Sequence, residues 1–203
     1  MGSSEGRLII VGCGGHARSV ADVALTAASW RIVFVDSNAK PDESIFDHPV
    51  VASIEWCPGD RVIIAIGDNI QRARHFAEVE PGKLATIVSP RAYVGRYASL
   101  GAGTFVAHGA HIGPEARVGQ NSIINTAAVV EHEASIGEHS HVAPHGTVAG
   151  RARLGARVLV GVGATVIDGV SVCDDCVIGA GATVVSDLVA RGTYVGVPAR
   201  KLR

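Results

Sequence analysis

A six-residue repeat of aliphatic side chains runs through the second half of the chain. Every sixth residue from Val94 to Val184 is Val, Ile or Leu. The residue four positions after each of these is mostly small, starting at Ala98. One aliphatic per hexad is typical of a parallel β-helix, in which each hexad forms a short strand and a turn, and three hexads close a triangular coil. The repeat therefore predicts about five coils, with residues eighteen apart stacked on one another.

The same stretch does not match two other folds. A helix needs apolar residues three and four apart, and a β-sandwich needs alternation with period two. Glycine often follows the aliphatic position directly, as at Gly95, Gly113 and Gly161, where it relieves a tight backbone. The composition agrees, because 25 residues are Gly and only 4% are aromatic. Such a chain fills its core with small and β-branched side chains.

Residues 7 to 80 follow a different pattern. A buried strand from Arg7 to Gly12 leads into a glycine-rich turn, which is followed by a predicted helix from Ser19 to Ala28. A second strand runs from Arg31 to Asp36, and a third from Arg61 to Ile66 leads into Gly67-Asp-Asn69. The first two strands and the helix make a βαβ unit with a Gly-x-Gly-x-x-Ala turn and an acid near its expected place. A turn of this kind at a helix N-terminus suits a phosphate or pyrophosphate, although it also fits simple packing of helix on strand.

Two domains follow from this division. Only about three parallel strands fit before the repeat, whereas a dinucleotide site needs two such halves. We therefore expect a small α/β domain of half-Rossmann type over residues 1–83, which binds a mononucleotide or a nucleotide diphosphate sugar. Residues 84–203 form the β-helix domain, with the junction at Glu80 to Lys83.

Charge, cysteines and the N-terminus exclude several classes of protein. The net charge is −1 and no long Lys/Arg run occurs, which argues against a nucleic-acid partner. Cys173 and Cys176 have the CxxC spacing, but no second pair completes a zinc site, so we expect four reduced thiols. The polar segment from Met1 to Gly6 and the short apolar run from Leu8 to Val11 fit neither a signal peptide nor a membrane span. We expect a cytoplasmic protein without membrane insertion.

Histidines are concentrated in the repeat. Six of the nine lie between His108 and His145, and an imidazole titrates near neutral pH, so a histidine here can act as a general base. His132 is the candidate, since Glu131 or Glu133 can fix its tautomer. Adjacent side chains on a strand point to opposite faces, so such a dyad requires His132 to lie at a corner, and a solvated surface histidine is the alternative. Four other histidines of this stretch have no predicted chemical role. We expect them to be exposed edge residues: His108, His111, His139 and His145.

Several motifs together resemble one family, the PglD/NeuD sugar acetyltransferases among the hexapeptide-repeat acyltransferases. The resemblance runs nearly end to end, and the Asn-Thr…Glu-His-Glu stretch is its most specific part. The motifs are Gly12-Cys-Gly-Gly-His-Ala17, Ile64-Ala-Ile-Gly-Asp-Asn69 with Arg72, Asn125-Thr-Ala-Ala-Val-Val-Glu-His-Glu133, Ile136-Gly-Glu-His-Ser-His141 and Gly196-Val-Pro-Ala-Arg200.

The resemblance implies a left-handed β-helix, a homotrimer, and acetyl-coenzyme A bound between neighbouring prisms. It implies that His132 is the catalytic base with Glu133 beside it, and that His141 contacts the thioester end of the coenzyme. The coenzyme then runs along the upper coils near Gly150, Val162 and Ala180. The residues implied for the nucleotide-linked acceptor are Gly14, Gly15, His16, Asp36, Ser37, Gly67, Asn69 and Arg72.

Two departures from the family pattern bear on the acceptor. Asp68 stands where the family often has Asn, and Ser37 follows Asp36 where a second acid is found. Either one can change which base or sugar is held.

The sequence thus indicates an N-acetyltransferase acting on a nucleotide diphosphate amino sugar for polysaccharide assembly, with acetyl-coenzyme A as co-substrate and no metal. O-acetylation of a sialic acid or another sugar hydroxyl is the nearest alternative. A zinc hydratase with histidine ligands between subunits and a nucleotide-sensing scaffold without chemistry also remain open.

Overall fold

The computed structural model describes residues 6–202 of the 203-residue chain. Residues 1–5, which hold most of the polar N-terminal segment, and residue 203 lie outside the described part. An α/β region comes first and a parallel β-helix follows, in the predicted order. Across residues 6–202 no helix is both long and apolar enough to cross a membrane.

The N-terminal region is a five-stranded sheet with the order β3-β4-β2-β1-β5, parallel except for β3. The first helix begins at Gly15 rather than at Ser19, and the strand predicted to reach Ile66 ends at Ile64. The elements are β1 Arg7–Val11, α1 Gly15–Ala27, β2 Arg31–Val35, β3 Ser44–Ile45, β4 His48–Val51, β5 Arg61–Ile64, α2 Asn69–Ala77 and a 3₁₀ turn Pro81–Lys83.

The sheet has two more strands than the sequence predicted. Strands β3 and β4 form a hairpin in which Ile45 pairs with His48. The two turn residues, Phe46 and Asp47, have φ of 50° and 63°, as a type I′ turn requires. Such turns usually carry Asn-Gly, so the hairpin has no recognisable signal in the sequence.

Short strands separated by four-residue turns build the β-helix, which is a triangular prism with three faces. Residues eighteen apart pair in register, as Val94 does with Ile112. Face 1 contains β6, β9, β12, β15, β18 and β21 and continues into β23 and β24; face 2 contains β7, β10, β13, β16, β19 and β22; face 3 contains β8, β11, β14, β17 and β20. The strands are β6 Ile87–Val88, β7 Tyr93–Val94, β8 Ser99–Leu100, β9 Phe105–Val106, β10 His111–Ile112, β11 Arg117–Val118, β12 Ile123–Ile124, β13 Val129–Val130, β14 Ser135–Ile136, β15 His141–Val142, β16 Thr147–Val148, β17 Arg153–Leu154, β18 Leu159–Val160, β19 Thr165–Val166, β20 Ser171–Val172, β21 Cys176–Ile178, β22 Thr183–Val184, β23 Gly192–Val195 and β24 Arg200–Lys201.

The aliphatic column fills the interior of the prism, as predicted. Each member from Val106 to Val184 is buried, whereas Val94 at the open end is 38% exposed. Burying one such side chain stabilises a fold by about 1.5–3 kcal/mol, so each member of the column contributes to the stability of the prism. The column of small residues is buried beside it from Ala110 to Ala182.

The corners of the prism have a regular backbone. The third residue of each four-residue turn has positive φ at every sixth position from Tyr97 to Gly181, and most of these residues are not glycine. The glycines directly after the aliphatic column have a different reason. A Cβ on Gly95 would approach the Pro114 nitrogen of the next coil to 2.6 Å. These glycines allow one coil to pack closely on the next.

The N-terminal region packs on face 1. Side chains from α1 such as Val20 form one buried cluster with Phe105 and Ile123 of face 1. Helix α2 lies beside the edge where face 3 turns into face 1, here called edge 3/1, because Arg72 bonds to main-chain oxygens of that edge. In a triangular prism the edge between faces 2 and 3, edge 2/3, is opposite face 1. That edge is therefore remote from the N-terminal region of the same chain.

Candidate functional site

A cavity of about 870 Å³ opens at the carboxyl ends of β1, β2 and β5. Parallel α/β sheets usually bind ligands at this end of their strands. Six of the eight residues that the sequence predicted for the acceptor line the cavity, and they come from three separate segments. These residues are Gly14, Gly15, His16, Asp36, Ser37 and Gly67.

The glycine-rich turn exposes its backbone to this cavity. A Cβ on Gly14, Gly15 or Gly67 would meet no described atom within 4 Å. Gly14 is the N-cap of α1, and no side chain of the described chain caps that helix. Free N–H groups at a helix N-terminus favour an anion. Gly12 has another role, since its φ of +106° is the conformation that the turn requires.

Asp36 connects the glycine-rich turn to the end of β2. Its carboxylate accepts hydrogen bonds from the Asn38 backbone N–H at 2.9 Å and from the Cys13 thiol at 3.2 Å. These two bonds lower the pKa of Asp36, with the Asn38 backbone as the larger cause, and the Asp36 carboxylate raises the pKa of the Cys13 thiol. The cavity is therefore lined by a charged carboxylate, and Cys13 remains protonated.

Arg72 and Asn69 are not at the cavity, and the prediction that they contact the acceptor is not supported by their geometry. Arg72 is 1% exposed, and its guanidinium donates to main-chain oxygens of Asn121, His139 and Ser140 at 2.7–3.2 Å. Its remaining donors reach the carbonyls of residues 66 and 67 and the Asn69 side chain. Asn69 in turn donates to a carbonyl on edge 3/1 at 3.1 Å. Both residues join α2 to the prism.

Asp68, one of the two departures from the family pattern, is the N-cap of α2. Its Oδ1 accepts hydrogen bonds from the backbone N–H groups of Ile70 at 3.1 Å and Gln71 at 2.8 Å. Aspartate and asparagine cap helices about equally well. The change from Asn to Asp is thus explained by the local fold without any change in the acceptor.

Two neutral histidines meet where His16, which lines the cavity, faces His141 on face 1. The rings of His16 and His141 lie 6.3 Å apart, and Nε2 of His16 is buried without a hydrogen-bond partner among the described residues. Burial, and after it the neighbouring His141 and Arg72, lower the pKa of His16 to about 3. Burial and then Arg72 lower the pKa of His141 to about 4. The Asn125 amide lies 3.1 Å from Nε2 of His141 and donates to it, which leaves the imidazole proton on Nδ1.

His132 lies at a corner on edge 2/3, which is the placement that a dyad requires. Its Nδ1 is 3.2 Å from Oε2 of Glu133, whose φ of 58° turns the carboxylate toward the ring. Glu131 bonds only to the backbone nitrogen of His132, at 3.3 Å. Glu133 is therefore the carboxylate that can fix the tautomer. The ring is 47% exposed and lies over Gly150 of the next coil, where a Cβ would come within 2.6 Å of Nε2.

The four residues predicted to contact the coenzyme lie in two places. His141 is on face 1, and its partner Asn125 lies on the edge between faces 1 and 2, edge 1/2. Val162 and Ala180 stack on edge 1/2 two and three coils above Asn125, and Val162 is 54% exposed. Gly150 lies instead against the His132 ring on edge 2/3, in the next coil. A single chain does not bring the four residues together.

His139 is buried, so the prediction that it is an exposed edge residue is wrong. Its Nδ1 lies 2.8 Å from the Asn121 amide, and its ring meets Phe76 of α2 edge-on. The packing of α2 on edge 3/1, a contact between distant parts of the chain, covers it. Of the other three, His145 is exposed, and His108 and His111 are partly buried.

Sequence reasoning missed several residues at the cavity. They come from the loop after β2, the loop between β4 and β5, and one side of α2 with its C-cap residue, where no motif marks them. These residues are Asn38, Trp56, Gln71, His75 and Glu78.

The four cysteines are free thiols, and Sγ of Cys173 lies 3.5 Å from Sγ of Cys176. Over residues 6–202 no group of three or more His, Cys, Asp or Glu side chains is arranged to hold a metal.

Two sequence families match the chain. The family described as the PglD N-terminal domain matches residues 7–79, and the hexapeptide repeat of succinyl-transferase matches residues 151–186. No curated protein sequence matches the chain significantly.

Several solved structures are similar over nearly the whole chain. PerB from Caulobacter crescentus, in complex with CoA and GDP-perosamine, is 33% identical with a TM-score of 0.87, and the match covers 98% of both chains. A variant of GDP-perosamine N-acetyltransferase from the same organism, with the same two ligands, is 31% identical over 98% of this chain and 97% of that one, with a TM-score of 0.91. The acetyltransferase domain of PglB from Neisseria gonorrhoeae is 28% identical over 97% and 99%, with a TM-score of 0.89. These matches confirm the predicted fold class, an α/β domain followed by a left-handed β-helix.

Proposed function

The chain belongs to the PglD/NeuD-type hexapeptide-repeat sugar acetyltransferases, and we propose that it transfers an acetyl group from acetyl-coenzyme A to the amino group of a nucleotide diphosphate-linked amino sugar. The observation that carries the proposal is the cavity, because an open glycine-rich turn lines it and the ring of His16, which also lines it, lies 6.3 Å from the ring of His141 on the hexapeptide prism. A volume of about 870 Å³ lies within the range of small-molecule sites. The similar Caulobacter crescentus structures contain CoA and GDP-perosamine, which supports this class of reactants.

The placement of His132 supports a site shared between chains. The cavity lies in the N-terminal region, which packs on face 1, whereas His132 and Glu133 lie on edge 2/3, across the prism from that face. His141, Val162 and Ala180 lie on the cavity side of the prism or beside it. In the proposed assembly, a homotrimer, edge 2/3 of one chain approaches face 1 and edge 1/2 of its neighbour. The coenzyme then lies between two prisms, and each site has its cavity from one chain and its base from the next.

Each proton in the proposed reaction has a named donor and acceptor. The sugar amine attacks the thioester carbonyl carbon, and a C–N bond forms as the C–S bond breaks. His132 accepts a proton from the nitrogen and returns it to the coenzyme A thiolate. Glu133 holds the Nδ1 proton and so leaves Nε2 free as the base. His141 remains neutral because of its low pKa, and it contacts the thioester end of the coenzyme.

A substrate screen tests the reaction. The protein is incubated with acetyl-coenzyme A and UDP-, GDP- or dTDP-linked amino sugars, and free thiol is measured. We expect thiol release with at least one amino sugar and none with the matching sugar that lacks the amine. Release with a sialic acid but with no amino sugar would instead establish the O-acetyltransferase alternative.

Mixed oligomers test the shared site. His132→Ala removes the base and leaves the cavity intact. Gly14→Leu blocks the cavity and leaves the base, and its φ of −75° accommodates leucine. Each variant alone is expected to be inactive. A mixed trimer has one intact site of three, and about three quarters of the trimers are mixed when equal amounts of the two chains assemble at random, so co-expressed chains should recover about a quarter of the wild-type activity. If base and cavity act within one chain, mixing restores nothing.

A further inference from the structure

Trp56 is an exposed aromatic residue in a chain that has few of them. The sequence contains two tryptophans, and Trp56 is 46% exposed at the rim of the cavity. Trp30, by contrast, packs against the buried cluster around α1 and does not line the cavity. A large indole left half in water contributes little to the fold, so its position calls for another reason.

The loop that carries Trp56 is fixed on both sides. Arg7 donates to the carbonyl of Glu55 at 2.7 Å and to the carboxylate of Asp60 at 2.6 Å. The same carboxylate accepts from the backbone N–H of Cys57 at 2.8 Å. The Asp60 side chain is 1% exposed, and its bond from Arg7 lowers the pKa of the carboxyl. The indole is therefore presented on an ordered backbone.

One side of the indole is already covered. Nζ of Lys83 lies 4.7 Å from the centroid of the Trp56 ring. Lys83 does not line the cavity, whereas Trp56 does. The lysine therefore covers one face of the ring without lining the cavity that Trp56 lines. A ring held in this way is a ready stacking surface.

The cavity has a polar end and an apolar wall. The connection between β4 and β5, residues 52–60, contains no helix, and the sheet face that α1 leaves free packs against Ile54 of this loop, Phe76 of α2, and Val79 and Leu84 that follow α2. The polar end contains the glycine-rich turn and Asp36. The apolar wall consists of Val35, Trp56, Val62, Ile64 and Val79. A nucleoside diphosphate has the same division, with charged phosphates at one end and a flat ring at the other.

We infer that Trp56 is the surface on which the nucleobase of the acceptor stacks, so that this residue sets the affinity for the nucleotide part of the substrate. The inference rests on the proposed function and extends it. Stacking on an aromatic side chain is effective for any base, and removing such a side chain commonly weakens binding about tenfold or more. Trp56 is therefore a binding residue and takes no part in the chemistry of acetyl transfer.

Fluorescence provides a direct test, since Trp30→Phe leaves Trp56 as the sole tryptophan. We expect UDP, GDP or dTDP to quench the emission of this variant and inorganic pyrophosphate to leave it unchanged. Trp56→Ala should raise the Kd of the nucleoside diphosphate and the KM of the nucleotide sugar about tenfold or more, with kcat at saturation unchanged. Trp56→Phe should restore most of the affinity.

Phe46→Ala is the matched control, because Phe46 is an exposed aromatic of the same domain that does not line the cavity. It should leave Kd and KM unchanged. Equal quenching by pyrophosphate, or a normal nucleotide Kd in Trp56→Ala, would overturn the inference while thiol release from amino sugars still upheld the proposed function. If no nucleotide binds and no nucleotide sugar releases thiol, both proposals fail.

Discussion

Replacing Gly150 by alanine tests how closely the rate depends on the position of His132. A Cβ at this position would lie 2.5 Å from Cε1 and 2.6 Å from Nε2 of the imidazole, and 2.9 Å from Oδ1 of Asp168. Carbon atoms in contact are normally about 3.5–4.0 Å apart, so the ring must move by about 1 Å. Gly150 does not have positive φ, so its backbone accepts alanine without strain.

The size of the effect follows from that displacement. A catalytic group misplaced by about 1 Å can cost about 10²-fold in rate, and complete loss of a general base about 10²–10⁴-fold. We expect kcat to fall about a hundredfold in Gly150→Ala. The KM for the nucleotide sugar should not change, because the cavity lies across the prism. The half-exposed ring can move into solvent, so the melting temperature should stay within a few degrees of the wild type.

The assay is thiol release at saturating substrates, with circular dichroism for the melting temperature. Gly82→Ala is the control, since its Cβ would meet no described atom within 4 Å and the residue is remote from His132. A wild-type kcat in Gly150→Ala, with an unchanged melting temperature, would refute the argument that the ring position governs the rate.

Three further results are expected. Because the folded-state pKa values of His16 and His141, about 3 and about 4, lie below the usual 6.5, the unfolded chain binds more protons below pH 6.5, and stability falls as pH decreases. Between pH 6.5 and 5 the free energy of unfolding should fall by roughly 2 kcal/mol for each ring. Urea unfolding at the two pH values measures this loss, and the double variant His16→Asn, His141→Asn should show a smaller one. Arg72→Met leaves buried carbonyl oxygens without donors and should cost about 3 kcal/mol or more in unfolding free energy; a loss below 1 kcal/mol would contradict its role in joining α2 to the prism. Asp68→Ala removes the cap of α2 and should lower stability by about 1 kcal/mol, whereas Asp68→Asn should be nearly neutral in the same thermal melts.

The prism could be predicted from the sequence because its signal is local and repeated. One aliphatic side chain per hexad must point inward in every coil, so Val106 and Val184 obey the same rule although they are far apart. The hairpin of β3 and β4 could not be predicted, since Phe46 and Asp47 adopt the turn conformation without the usual residues. Its stability comes from pairing with β2 instead.

The candidate site was predictable only in part. The glycine-rich turn exposes its backbone, and that property can be seen in the sequence of Gly14 and Gly15. The burial of His139 and the contacts of Arg72 depend on α2 packing against the prism, which no local pattern records. The site around His132 was predictable in part. The repeat places His132 in a turn, but it does not determine the direction of the Glu133 carboxylate.

Arg72 attaches the N-terminal domain by donating hydrogen bonds to main-chain oxygens of the prism, and every amino acid has such an oxygen. Outward-facing side chains at that corner of the prism can therefore vary in evolution without loosening the attachment, so long as the coil keeps its spacing. An inserted or deleted residue in one hexad, by contrast, would move all these acceptors at once. Homologous chains should consequently tolerate substitutions along this seam and reject changes of length.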